Sequence, residues 1–310
     1  MEKARFLGAL VGLACGDALG TTVEFKSPGS FIPVRDMVGG GVFQLKAGAW
    51  TDDTSMALCL AESLIQRRAL DPVDQLTRYL RWYRDGYLSS TGVCFDIGNT
   101  VRAALHRFER TGNAFSGSTN ANTAGNGSLM RLAPVPMFFC NAPREALPAA
   151  ADSSRTTHGA REAVDACRYL CGLLIGALRG EDRETLLAPM YEPEPGIWHE
   201  EPLAPKIEAV ARGSYKLKAP PDIRGAGYVV ASLEAALWAF YHGDSFESGC
   251  LAAANLGEDA DTTAAIYGQL AGAFYGHTQI PSSWRAKLVM GETIEQYAEA
   301  LFSLAQKRAA

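Results

Sequence analysis

Gly48-Ala49-Trp50-Thr51-Asp52-Asp53-Thr54-Ser55-Met56-Ala57-Leu58-Cys59-Leu60-Ala61 sets two adjacent carboxylates, flanked by hydroxyls, directly against an apolar run of helical character. Asp52 and Asp53 repel each other at close range and desolvation adds to the penalty, so such a pair is solvated, protonated or bridged by a cation. A helix cap explains one such stretch more simply: Thr51 or Asp52 closes the N-terminus and the other acid is favoured by the dipole. The pattern, however, occurs twice. Gly257-Glu258-Asp259-Ala260-Asp261-Thr262-Thr263 again places acids and threonines ahead of an apolar helix, residues 264–275. Two such helix starts, if they face each other, supply four carboxylates and two hydroxyls. These are hard oxygen donors of the kind that suits Mg²⁺, Mn²⁺ or Ca²⁺ rather than zinc.

Outward from these two stretches the chain reads as helix after helix. Phe6, Leu7, Leu10, Leu13 and Ala14 recur at helical spacing over residues 3–19, while Gly8, Ala9, Gly12, Gly16 and Ala18 offer small surfaces for close packing. Further helices are expected over 54–68, 72–87, to 108, 159–178, 228–242, 245–255, 264–275 and 292–308. A short helix is expected to open at Pro143 and to be interrupted or kinked at Pro148 before Ala151, with residues 153–158 leading into the next helix. Ala264, Ala265, Gly268, Ala271 and Gly272 mark 264–275 as a centrally packed helix. Residues 28–48, rich in glycine and proline, form a loop that delivers the chain to Thr51. Strand patterns are nearly absent, so the expected class is all-α, a single domain over 1–310. Its charged, proline-bearing stretch 180–221 is expected to be a variable excursion over the surface.

Composition excludes several classes. The 310 residues are 47% hydrophobic, enough for a substantial core, and the net charge of −5 with scattered basic residues argues against nucleic acid as a partner. Seven cysteines without a C-x-x-C pair read as buried free thiols of a reducing compartment. The N-terminal segment lacks a secretory h-region and no apolar run approaches about 20 residues, so no membrane and a cytoplasmic location are expected.

Four further stretches carry groups that could serve chemistry. Glu24 sits between Val23 and Phe25, either as a surface acid or as a functional one. Asp96 and Asn99 share a helix face if a helix starts there, although an N-cap role accounts for Asp96 equally well. Gly125-Asn126-Gly127-Ser128 is a glycine-rich turn before an apolar helix start, a geometry that receives phosphate, but it matches no Walker or Rossmann fingerprint. His158 stands among hydroxyls near a helix start.

Taken in order, Gly16-Asp17-Ala18-Leu19-Gly20 with Glu24, Trp50-Thr51-Asp52-Asp53-Thr54, Phe95-Asp96-Ile97-Gly98-Asn99, Gly125-Asn126-Gly127-Ser128-Leu129-Met130-Arg131, Thr157-His158 and Gly257-Glu258-Asp259-Ala260-Asp261-Thr262 resemble the ADP-ribosylglycohydrolase family. The likeness is greatest to its bacterial branch, typified by the dinitrogenase reductase-activating glycohydrolase. The set is specific where no single member is. The resemblance implies a compact all-helical domain with two Mg²⁺ or Mn²⁺ ions, held by Thr51, Asp52, Asp53, Asp259, Asp261 and Thr262. It implies ADP-ribose contacts from Asn99, Gly125, Asn126, Gly127, Ser128, His158 and Tyr228, and catalytic roles for Glu24 and Asp96. One departure is Gly257-Glu258-Asp259, where the family usually has Gly-Gly-Asp or Gly-Asp-Asp; the substituted residue is still acidic.

The activity implied is metal-dependent hydrolysis of the bond between ADP-ribose and a modified side chain, arginine first. Serine, a nucleic-acid end and a small ADP-ribosyl metabolite remain within the class. The expected partner is an ADP-ribosylated protein or small molecule, and the expected state a monomer. A catalytically silent ADP-ribose-binding or structural protein on the same fold is the alternative, and a two-metal phosphohydrolase is a third reading.

Overall fold

The protein is described by a computed structural model over residues 1–309. The chain forms α1 (Lys3–Gly20), α2 (Asp52–Arg67), α3 (Pro72–Asp85), α4 (Asn99–Thr111), α5 (Pro134–Phe138), α6 (Pro143–Arg155), α7 (Arg161–Arg179), α8 (Arg183–Leu186), α9 (Ile197–Glu200), α10 (Pro205–Ala211), α11 (Val229–His242), α12 (Phe246–Ala254), α13 (Ala260–Tyr275), α14 (Ser282–Lys287) and α15 (Gly291–Ala309). Among the described residues there is no β-strand, only isolated bridges such as Ser118 with His158 and Gly125 with Tyr228. The fold is all-α.

Its axis is the antiparallel pair α1 and α13, packed backbone against backbone. Gly8, Gly12, Gly16 and Gly20, spaced by four on one ridge of α1, lie against the carbonyl oxygens of Gly272, Gly268, Ala264 and Ala260, spaced by four on α13. A Cβ on Gly12 would stand 2.3 Å from the Gly268 oxygen, so only glycine permits this approach. Close contact of two such ridges brings the C-terminal turn of α1 to the N-terminal turn of α13. The helices α7, α11, α12 and α15 pack around the pair, and α2 lies against α1, α3, α13 and α15.

Several elements differ from the sequence expectation. Pro148 does not end α6: the helix runs on to Arg155, taking in Ser153 and Ser154. The proline removes one bond in the second turn, while Ala146, Leu147, Ala149 and Ala150 bury around it against α7; burial outweighs the lost bond. Helix α3 stops at Asp85, where Gly86 takes a left-handed φ of 67°. α1, with the 3₁₀ turn that follows it, is long and apolar enough by composition to cross a membrane, contrary to expectation, but all its residues from Gly8 to Gly20 are buried among the other helices. Residues 180–221 carry α8, α9 and α10, whose Leu186, Trp198 and Ile207 are buried. Asp165 of α7 accepts from the amide of Ala204 at 2.8 Å, and the Arg168 guanidinium lies over the Trp198 ring, which tack this stretch to the core. Six of the seven cysteines are buried and Cys94 is half-buried; none is disulfide-bonded.

Candidate active site

The starts of α2 and α13 face each other across the end of α1. Thr51 occupies the cap position of α2, yet its hydroxyl caps nothing. It lies instead 3.0 Å from Asp17 Oδ1 and 3.3 Å from both Asp53 Oδ2 and Asp261 Oδ2. The Thr262 hydroxyl reaches Asp53 Oδ2 at 3.4 Å from the other helix. Asp259 likewise caps α13 in position only, without a side-chain bond to the helix. The Thr51 and Thr262 hydroxyls and the Oδ2 atoms of Asp53 and Asp261 are thus turned toward one another, while Asp261 Oδ1 accepts from the amide of Thr262 at 2.7 Å.

Asp17 makes this arrangement possible. Its carboxylate accepts from the amide and hydroxyl of Thr51, at 2.8 and 3.0 Å, and from those of Thr54, at 3.0 and 2.6 Å. It clamps the first turn of α2 onto α1. Glu24 does the same for α13: its Oε2 accepts from the amides of Ala260 at 2.7 Å and Asp261 at 3.2 Å. Asn126 donates to Asp259 Oδ2 at 2.8 Å and to Ser232 at 2.9 Å, holding that carboxylate toward the glycine turn.

Carboxylate oxygens of Asp17, Asp53 and Asp261 lie within 4.8 Å of one another, as do those of Glu24, Asp259 and Asp261, so two clusters share Asp261. Burial, followed by repulsion from the other acids, pushes Asp52 and Asp53 well above the usual carboxylate range. Burial raises Asp17 to about 6 and Asp261 to about 7, and with its acidic neighbours raises Glu24 further. Among the described residues no basic side chain enters this cluster's hydrogen bonds, and Asp53 Oδ1 is buried with no hydrogen-bond partner. Carboxylates crowded in this way are stabilised by divalent cations, and the donor set is entirely hard oxygen. The residues present fit a metal centre.

Above the cluster opens a cleft of about 330 Å³ lined by Glu24, Asp52, Asp96, Asp259, Asp261 and Thr262 among others. Asn99, Gly125, Asn126, Gly127 and His158 form its wall. A second hollow of about 480 Å³ adjoins it, sharing Thr100, Gly125 and Gly227, and carries Tyr228, Glu162 and Lys206. The Tyr228 hydroxyl donates to Glu162 at 2.5 Å and accepts from Lys206 at 2.8 Å. Asp96 has a left-handed φ of 58°, strain of order 1 kcal/mol of the kind that collects at functional positions. Burial, then the charges of Asp52 and Asp261, raise its carboxyl to about 10. Ser128 does not line the cleft: it turns inward, where it accepts from the Ser154 hydroxyl at 2.8 Å and from Cys167 at 3.4 Å. A glycine turn shows which backbone is exposed, not where the following hydroxyl points.

The proton on His158 is set by its neighbours. Thr157 Oγ1 accepts from Arg131 at 2.8 Å, and among the described residues its buried O–H has no acceptor other than His158 Nδ1, at 2.9 Å, to which it donates. The imidazole therefore carries its proton on Nε2, beside the glycine turn. A Cβ on Gly127 would stand 2.9 Å from His158 Cε1, which is why glycine stands there. Burial and the Arg131 charge lower His158 to about 3, so it is a neutral donor at neutral pH.

Sequence reasoning passed over Asp17 and Arg131 as site residues. Each had a signal. Asp17 is the only acid in the apolar helix α1 and stands next to the seam glycine Gly16; Arg131 interrupts the apolar run Leu129-Met130-Arg131-Leu132-Ala133. A charge in such a setting is buried with partners or not buried at all.

Fold and site together define an all-helical protein whose buried cluster of oxygen donors could hold metal ions at the base of an open cleft. The chain belongs to the ADP-ribosylglycohydrolase family, whose sequence profile matches residues 2–310. It is 45% identical over 305 residues to the ADP-ribosylarginine hydrolase Tri1 of Serratia proteamaculans (strain 568), covering 98% of this chain and 80% of that protein. It is 33% identical to the ADP-ribosyl-[dinitrogen reductase] glycohydrolase of Rhodospirillum rubrum, covering 97% and 96% respectively. A solved structure described as an ADP-ribosylglycohydrolase-related protein complex superimposes with a TM-score of 0.86 at 47% identity, covering 98% of each chain.

Proposed function

We propose that the protein hydrolyses the bond between ADP-ribose and an arginine side chain, with two Mg²⁺ or Mn²⁺ ions at its centre. The observation that carries the reading is the convergence of the α2 and α13 starts, which points Thr51, Asp53, Asp261 and Thr262 at one another and leaves Asp53 Oδ1 buried and unpaired. The family membership and the arginine specificity named for the relative from Serratia support it.

Thr51, Asp52, Asp53, Asp259, Asp261 and Thr262 would hold the ions, with Asp17, Glu24 and Asn126 fixing the elements that present them. Such ions supply positive charge against which ribose hydroxyls orient and water becomes acidic. The chain's own groups do the rest. The Gly125–Gly127 turn and the His158 Nε2–H offer donors to phosphate oxygens. Tyr228 borders the second hollow, where the nucleoside end lies. In the reaction the ribose C1–nitrogen bond breaks, a water oxygen bonds to C1, and the guanidine leaves with a proton. Asp96, at the cleft wall, faces the leaving group. The substrate's guanidinium favours the ionised carboxylate, which pairs with it through two hydrogen bonds. Glu24, on the cleft floor, positions the Asp261 turn through its two amide bonds; ionised beside bound cations, it would also take the proton of the attacking water.

The test is release of free ADP-ribose from an arginine-ADP-ribosylated protein with Mg²⁺, with Mn²⁺ and with chelator. Expected are metal-dependent release by wild type and its loss in Asp52→Ala-Asp53→Ala. Full activity in both Asp96→Ala and Glu24→Ala refutes their roles. Binding of ADP-ribose without any release favours the silent-binder alternative.

A further inference from the structure

Three rings from separate parts of the chain meet at the mouth of the cleft. Phe25, Phe43 and Phe95 form an edge-to-face ladder, with centroids 6.3 Å apart between the first pair and 5.3 Å between the second. Phe25 lines the cleft next to Glu24, and Phe95 immediately precedes Asp96. Phe25 is nevertheless 65% exposed, and Val42 and Val93, close in sequence to the other two rings, are 56% and 61% exposed.

Folding does not account for Phe25. Its φ is 61°, left-handed, where a bulky side chain is an outlier. The conformation is imposed by a reciprocal pair of backbone bonds, Phe25 N–H to Glu258 at 2.7 Å and Glu258 N–H to Lys26 at 2.8 Å, Glu258 itself being left-handed. The loop ahead of α13 thus holds a strained backbone in order to keep an apolar ring in water at the rim of the acidic cleft. Strain and exposure at one residue, next to a site, mark a contact surface.

We infer that this ladder is the docking surface for the polypeptide that bears the modified arginine. The inference rests on the arginine reading above. The leaving group is a guanidinium on a three-carbon stem, and the ladder borders the cleft at Phe25 and adjoins Asp96 through Phe95. The rings, with the exposed Val42 and Val93 near them, receive apolar side chains of the peptide that flanks the modified arginine, which free ADP-ribosylarginine lacks. A free nucleotide metabolite has nothing to place there.

The test compares two substrates, an arginine-ADP-ribosylated protein and free ADP-ribosylarginine, for wild type, Phe25→Ala-Phe43→Ala and Phe25→Trp. The expected result is that the double variant loses tenfold or more in kcat/KM for the protein relative to kcat/KM for free ADP-ribosylarginine, carried by a rise in KM, while Phe25→Trp keeps the wild-type ratio. An equal loss on both substrates overturns the inference, since it means the rings support only the cleft, and so does no loss on either. Wild type that cleaves neither substrate overturns the arginine reading and the inference with it, an outcome distinct from the two preceding ones.

Discussion

Gly16→Ala tests the packing on which the site rests. The new Cβ would stand 2.1 Å from the Ala264 oxygen and 2.4 Å from its carbonyl carbon, where ordinary contact begins at 3.4 Å. Both are backbone atoms of a buried helix, so the overlap of roughly 1 Å is relieved only by parting α1 from α13, and a gap of that size forfeits up to about half the dispersion attraction of the atoms it separates. Overpacking of this kind costs up to about 3 kcal/mol. Alanine in place of glycine contributes about 1 kcal/mol of helix propensity in the opposite direction. The net expectation is destabilisation by about 2 kcal/mol, a melting temperature lower by about 3 °C for a chain of this size. Thermal and urea unfolding in chelator would measure it, with Gly8→Ala as companion, since its Cβ meets the Gly272 oxygen at 2.0 Å at the far end of the same seam. Both variants should lose comparable stability, but only Gly16→Ala, one residue from Asp17, should also lose Mn²⁺ affinity. A Gly16→Ala protein that melts higher than wild type would show that propensity outweighs packing and would refute the reasoning.

Asp52→Ala-Asp53→Ala removes two crowded buried carboxylates, so in chelator it should melt above wild type, while saturating Mg²⁺ should raise wild type alone. Metal at a hundred times its dissociation constant stabilises by about 2.7 kcal/mol, and a wild-type melting curve indifferent to both metals would argue against the metal centre. His158 is lowered to about 3 by burial and Arg131, below the ordinary 6.5. A depressed folded value means that its stability contribution is complete above about 6.5 and is lost as pH falls toward about 3. The acid limb of the unfolding profile should therefore be shallower in His158→Gln, and an unchanged limb would contradict burial of the neutral ring. Since glutamine keeps an N–H donor, His158→Gln should bind ADP-ribose more tightly than His158→Leu, by about tenfold in calorimetry; equal affinities would mean that the Nε2–H contacts no phosphate.

What the amino-acid sequence determined by itself was local. Helical periodicity established the all-α class, and the doubled acid-and-threonine pattern singled out Asp52, Asp53, Asp259 and Asp261 as a set of hard oxygen donors that could serve a cation, because both signals lie within one or two turns of chain. The small residues of α1 and α13 were visible too, but not that Gly12 faces Gly268 and Gly16 faces Ala264, since stripes with a four-residue repeat match in several registers and only the surrounding core selects one. That register is what brings Asp17 under Thr51 and Thr54. The tertiary structure alone decided that Glu24 caps α13, that Ser128 turns inward, that Arg131 and Thr157 orient the His158 proton, and that Phe25, Phe43 and Phe95 meet. Each of these joins residues on separate segments, and whether a polar or aromatic side chain is buried, paired or displayed depends on what the fold brings opposite it.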